Sequence, residues 1–129
     1  MKIVYSDRKS GKTSQAEVPK EFEGMVIGKK IGEQIEGSVI KLDGIKMQIT
    51  GLTDNTGASS RREIDGTRKA WPLLSSPPGI RKAKHGYRAR RLIRGNTVSA
   101  DTAQVNTVIV EMGSYTAEQL FKPKEKKAE

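Results

Sequence analysis

Eleven lysine and arginine side chains fall between Arg61 and Arg94: Arg61, Arg62, Arg68, Lys69, Arg81, Lys82, Lys84, Arg88, Arg90, Arg91 and Arg94. Only Glu63 and Asp65 oppose them in that stretch, so it carries +9. The remaining residues hold equal numbers of basic and acidic side chains and sum to zero. About a quarter of the chain therefore supplies the whole formal net charge of +9. Like charges at this density repel one another in the folded state, and a polyanion relieves the repulsion. Arginine predominates, and its planar fork of donors matches phosphate oxygens bidentately and stacks on bases. Tyr87 and Trp71 lie among the cations and can stack on unpaired bases, each worth about 1–3 kcal/mol. Trp71 has a competing role, core packing beside Leu73 and Leu74. His85 is the single histidine, flanked by Lys84 and Gly86, and reads as an RNA-contacting or inert imidazole.

Other chemistries find little support. Ser10-Gly11-Lys12-Thr13 ends like a phosphate loop, but Ser6 stands where such a loop needs its first glycine. The residues that follow, Thr13 to Val18, favour a strand over the required helix. One histidine and no cysteine leave no ligand set for zinc and no thiol nucleophile. The acids are scattered, with no pair in an apolar setting that would raise a pKa for acid–base work. No enzyme activity and no cofactor are expected. A small NTPase would require nucleotide-dependent stabilisation.

The elements that must hold the basic block are short. A chain of 129 residues, 34% hydrophobic, is expected to form one domain with a small core. A 5% aromatic content leaves little for a deep ligand pocket. The N-terminal MKIVYSDRKSG lacks a secretory apolar region, and no apolar run approaches the roughly 18 residues of a membrane span. The expectation is a soluble, intracellular protein of pI about 9.9, with no membrane partner.

Lys2 to Tyr5 and Thr13 to Val18 predict a hairpin across the turn-rich Ser6 to Lys12, ended by Pro19. Gly24, Gly28 and Gly32 are read as turn chemistry at strand ends. Asp43-Gly44 predicts a two-residue hairpin within Ser38 to Thr50, pairing Leu42 with Ile45, Ile40 with Met47, and Lys41 with Lys46. Leu52 to Ser60 reads as a polar loop. Trp71 to Leu74 is an apolar island able to anchor the basic block to the core. Ser75 to Gly79 is irregular. Arg88 to Ile93 can be extended, but arginine on both faces keeps it from packing fully on an apolar core. Gln104 to Glu111 predicts a strand. Thr116 with Gln119 has the form of a capping box opening a short helix that Pro123 ends. The fold class expected is all-β: a small barrel-like or sandwich body over residues 1–113, including the basic segment 61–94, then a short helix and flexible charged tail over 114–129.

Glycine and proline (Gly66, Pro72, Pro77, Pro78, Gly79, Gly86) interrupt the basic block and let the backbone follow an irregular surface. No helix-turn-helix, zinc finger or basic zipper is visible, which favours folded RNA over a B-DNA major groove. The residues expected to bind RNA are Arg61, Arg62, Arg68, Lys69, Arg81, Lys82, Lys84, His85, Tyr87, Arg88, Arg90, Arg91 and Arg94.

Four stretches resemble one family: MKIVYSDRKSGKT at the N-terminus, IGKKIGEQIEGS (Ile27 to Ser38), IKMQITG (Ile45 to Gly51) and IRGNTVSADTAQVNTVIVEMG (Ile93 to Gly113). From about Met1 to Gly113 the sequence resembles the archaeal and eukaryotic S-six-e family of small-subunit ribosomal proteins. The resemblance implies an integral ribosomal protein in the cytoplasm, with a β-barrel-like body and basic extensions. Its implied partners are small-subunit ribosomal RNA and neighbouring ribosomal proteins, and it is expected to be a monomer outside the ribosome. Eukaryotic members continue into a basic C-terminal helix with a phosphorylated serine cluster. The sequence ends at Glu129, so that regulation does not carry over, and the short form looks archaeal. Ile80 stands where an aromatic is expected, which argues against a stacking role there. A free-standing RNA- or DNA-binding regulator using the same basic patch is the alternative.

Overall fold

The protein, seen in a computed structural model that describes residues 1–81, 84–113, 115, 116 and 121, is built mainly of strands. Strands β1 (Lys2–Ser6) and β2 (Thr13–Glu17) form the expected hairpin, in register from Lys2↔Glu17 to Ser6↔Thr13. Alternation places Ile3 and Tyr5 in the core while their neighbours face outward. In the connecting loop the Asp7 carboxylate accepts the amides of Lys9 (3.1 Å) and Ser10 (3.3 Å) and the Ser10 hydroxyl (2.9 Å). The chain leaves this loop directly into β2, so the SGKT run has no helix behind it and is a turn.

Five strands join in one open sheet of order β2-β1-β9-β4-β3, where β3 is Gln34–Glu36, β4 is Lys46–Asp54 and β9 is Thr102–Glu111. β9 runs parallel to β1 and antiparallel to β4. The two long strands lie side by side because each alternates buried side chains, Met47 and Ile49 on β4 and Val105 and Thr107 on β9, and has a partner on both edges. Thr107, on β9, is buried at the seam, and its hydroxyl donates to the Val4 carbonyl at 3.0 Å. Ile3, Ile45, Met47, Ile49 and Val105 are essentially sealed from solvent and form the centre of the main core.

Four expectations are corrected. The sheet is open, with β2 and β3 as edges, and the described residues form no closed barrel. A helix, α1 (Lys20–Val26), takes in Gly24, expected in a turn, whereas Gly28 and Gly32 do lie in turns, with φ of 92° and 97°. Pro19 precedes it, Glu21 and Glu23 sit in its first turn where negative charge suits the helix dipole, and Val26 is fully buried. The Asp43-Gly44 hairpin does not form. A 3-10 turn (Gly37–Ile40) follows β3, Lys41 takes a left-handed φ of 63°, and β3 pairs with β4 through Ile35↔Met47. Gly37 is required there, since a Cβ would collide with the Leu42 carbonyl. Lys46 therefore faces Glu36 and Glu111 in place of Lys41, with an ion pair to Glu111 at 3.7 Å. Finally, β4 continues through Leu52, which is buried, to Asp54. The helix expected beyond Thr116 falls almost wholly outside the described residues.

Candidate nucleic-acid interface

The basic block is the excursion between β4 and β9, two strands that pair with each other. At the end of β4 the buried Asp54 carboxylate accepts the Thr56 hydroxyl (2.8 Å) and the amides of Ala58 (2.8 Å) and Thr56 (3.0 Å), folding the chain back. The returning strand bonds Ser60 N–H to the Leu52 carbonyl and then Arg61 N–H to the Arg94 carbonyl. Beyond it, β5 (Lys69–Ala70) pairs with β8 (Ile93–Arg94), and β6 (Leu73–Leu74) pairs with β7 (Ala89–Arg90). The pairs Lys69↔Arg94, Ala70↔Ile93, Leu73↔Arg90 and Leu74↔Ala89 share one register. The two ladders are thus one hairpin, interrupted at Trp71-Pro72, where proline has no N–H to donate. Leu74, Ile80 and Ile93 give this hairpin a small core of its own, flanked by Ile64 and Ala89.

Arg94-Gly95-Asn96 holds the base of the hairpin. The Arg94 guanidinium donates to the Thr67 carbonyl at 2.9 Å and lies 3.5 Å from Asp54 and 3.8 Å from Asp101. Burial works against charge on Asp54, but the bonds from Thr56 and Ala58 and the Arg94 charge outweigh it and hold its carboxyl below the ordinary range. Gly95 packs on the Gly66 backbone, with no room for a Cβ. The buried Asn96 amide donates to the Arg62 carbonyl at 3.2 Å and to Asp65 at 3.4 Å.

The thirteen residues expected at the interface separate into groups. Arg61 and Arg94 are mostly covered: Arg61 donates to the carbonyls of Ser76 (2.8 Å) and Pro78 (2.9 Å) and pairs with Glu63 at 3.1 Å. Glu63 is held below its ordinary pKa by its own amide and by Arg61. Arg62, Arg68, Lys69, Arg81, Lys84, His85, Tyr87, Arg88, Arg90 and Arg91 are exposed on the hairpin and its flank. Among the described residues, none of these cations has a carboxylate within ion-pair distance. Arg90 instead donates to the Trp71 carbonyl at 3.1 Å, and Arg91 to the Arg90 carbonyl at 3.2 Å. Lys82 lies outside the described residues.

The apolar island behaves otherwise than expected. Trp71 is 62% exposed and Leu73 54%, while only Leu74 is buried, and it joins the hairpin cluster rather than the main core. Tyr87 is 43% exposed. Ile80 is buried in the hairpin core. Sequence reasoning missed Asp54, Asn96 and Asp101. An aspartate ending an alternating strand, ahead of a Thr-Gly turn, was the available signal for the first. Among the described residues no cluster of potential metal ligands occurs, and no helix is long and apolar enough to cross a membrane.

A family model described as ribosomal protein S6e matches residues 1–122. The chain is 41% identical to small ribosomal subunit protein eS6 of Methanocaldococcus jannaschii, over 93% of this chain and 89% of that relative. It is 45% identical to the protein of that name from Methanococcus maripaludis strain C5, over 88% and 89%. For Caldivirga maquilingensis the figure is 42%, over 99% of this chain and 93% of the relative. These are ribosomal structural proteins rather than enzymes, and the chain belongs to the ribosomal protein S6e family.

Proposed function

We propose that the protein is a structural constituent of the small ribosomal subunit and binds ribosomal RNA through the 61–94 hairpin. One observation carries the reading: apart from Arg61 and Arg94, the described arginines and lysines of the hairpin and its flank have no carboxylate within ion-pair distance among the described residues. Phosphates supply the missing counter-charge, and the arginine forks supply bidentate geometry. Arg62, Arg68, Lys69, Arg81, Lys82, Lys84, His85, Tyr87, Arg88, Arg90 and Arg91 contact RNA. Arg61 and Arg94 act from behind, fixing the turn and the base of the hairpin. Residues 1–113 form one domain, and 114–129 a tail. The protein works in the cytoplasmic ribosome, among neighbouring ribosomal proteins and without a membrane partner, and is a monomer when free.

The test is charge reversal of Arg88, Arg90 and Arg91 together. Binding to small-subunit RNA weakens, and the slope of log K against log salt becomes shallower by about 0.7–0.9 for each phosphate no longer neutralised. The circular-dichroism spectrum stays as in the wild type. Unchanged affinity and slope in a folded variant would remove the hairpin from the interface. A parallel measurement is sedimentation of small subunits in high salt, where an integral component remains bound and a free-standing regulator washes off.

A further inference from the structure

The tip of the hairpin carries two adjoining recesses that share a wall. The first, about 580 Å³, is lined by Gly79, Ile80, Arg81, Lys84, Tyr87 and Arg91. The second, about 530 Å³, is lined by Ser75, Lys84, His85, Gly86, Tyr87 and Arg88. Both volumes fall in the range of roughly 300–1,000 Å³ typical of small-ligand sites. Tyr87 and Lys84 line both recesses. A turn fixes them relative to each other: Tyr87 N–H donates to the Lys84 carbonyl at 2.9 Å, and Gly86 supplies the positive φ of 78°.

Charge sets these recesses apart from others on the molecule. Among the described residues, neither is lined by a carboxylate. Recesses elsewhere contain Glu17 and Glu23, or Glu36, or Glu36 with Asp43. At the tip each recess pairs an aromatic ring with its own cations, Arg81 and Arg91 on one side and Arg88 on the other, with Lys84 common to both. The first also has an apolar floor in Ile80.

We propose that these recesses receive two successive unpaired nucleotides of an RNA strand, one on each side of Tyr87, with Lys84 on the phosphate that joins them. The proposal rests on the RNA-binding reading above and narrows it from backbone tracking to a single-stranded element. A base in duplex cannot enter, because its faces are already stacked, whereas an unpaired base is free to lie against an aromatic ring. The flanking arginines then meet the outer phosphates.

The probes are two RNAs of equal length labelled with 2-aminopurine, one single-stranded and one duplex, titrated into the full chain. The expected result is quenching of the single-stranded probe, affinity reduced about ten-fold or more by Tyr87→Ala, and affinity kept within about two-fold by Tyr87→Phe, which retains the ring. The duplex titration is expected to be indifferent to both substitutions. Equal loss of affinity for both probes in Tyr87→Ala, or no loss for either, would overturn the proposal while leaving phosphate binding by the hairpin intact. Displacement of the strand by an equal concentration of AMP would also overturn it, assigning the recesses to free nucleotides. Failure of wild-type protein to bind either RNA would overturn this proposal and the broader reading together. Trp71 fluorescence and circular dichroism confirm that both variants are folded.

Discussion

The sheet and the hairpin use the same antiparallel pairing for opposite ends. Around the sheet, thirteen buried apolar residues among those described form one continuous core, and the surface carries both signs of charge, with Lys46 opposite Glu36 and ion-paired to Glu111. In the hairpin, three buried residues hold two short ladders together, and a row of exposed cations meets no carboxylate among the described residues. Burial scales with apolar area, so the sheet carries the stability. Charge repulsion falls on the hairpin, the region with least burial to offset it. The difference teaches that the sheet is shaped by what it buries, while the hairpin keeps charge that its own fold leaves largely uncompensated.

Truncation in each core should break or sharpen that contrast most strongly. Ile49 is fully buried at the sheet's centre. Ile49→Ala is expected to cost about 2–5 kcal/mol and to lower the cooperative melting temperature of the whole chain. Ile80→Ala removes a similar volume from the hairpin cluster. Its expected effect is local: faster amide exchange at Ala70, Leu74, Ala89 and Ile93, with the global transition little moved. A fall in melting temperature as large as that of Ile49→Ala would mean that sheet and hairpin unfold as one unit.

The two regions also differ in how far they could be read from residues alone. β1 and β9 were legible because both are rich in β-branched residues, and β2 because the turn-rich Ser6 to Lys12 and Pro19 bracket it. β3 and the 3-10 turn were not: Asp43-Gly44 is a good local hairpin signal, but the chain pairs Ile35 with Met47 instead, in a core that also buries Ile40 and Ile45. α1 was hidden by Gly24, although Pro19, Glu21 and Glu23 mark a helix start. In the basic block, the location and sign of the charge were legible from counting. The division of its arginines into anchors and free forks was not. Arg61 and Arg94 are told apart from Arg88 and Arg91 only by carbonyls and carboxylates distant in sequence: Ser76, Pro78, Thr67 and Asp54. Family resemblance supplied the ribosomal setting, which charge alone did not.

That division predicts unequal consequences for equal substitutions. Arg94→Ala leaves the buried Asp54 carboxylate without its counter-charge and frees the Thr67 carbonyl. A cost on the order of 3 kcal/mol is expected, together with loosening of the hairpin base. Arg88→Ala removes an exposed side chain and should change stability by no more than about 0.5 kcal/mol, while weakening RNA binding. Chemical denaturation of both variants, with RNA affinity measured alongside, is the check. Similar stability losses in the two would erase the distinction between anchoring arginines and exposed ones.

The smallest expected effect is on acid stability, and it probes the joint between the two regions. Asp54 ends a sheet strand while its carboxylate meets the hairpin's Arg94, so its ionisation couples them. Its folded pKa lies below the ordinary value of 3.8, because the bonds from Thr56 and Ala58 and the Arg94 charge outweigh burial. A carboxyl depressed in the folded state adds stability that is fully present above the unfolded value and is lost as pH falls through the folded one. Wild-type protein should therefore lose stability progressively below about pH 4. Asp54→Asn should be less stable at pH 6 but flatter below pH 4, since it has no charge left to titrate against Arg94. Asp7 is depressed in the same direction by the Lys9 amide and Ser10 hydroxyl, but it lies in the β1–β2 loop, away from the hairpin. Asp7→Asn should therefore soften the acid transition without altering amide exchange at the hairpin base. Urea titrations at pH 6 and pH 3, with exchange read at Arg61 and Gly95, separate the two sites. An Asp54→Asn variant whose acid loss matches the wild type would place the titrating joint elsewhere.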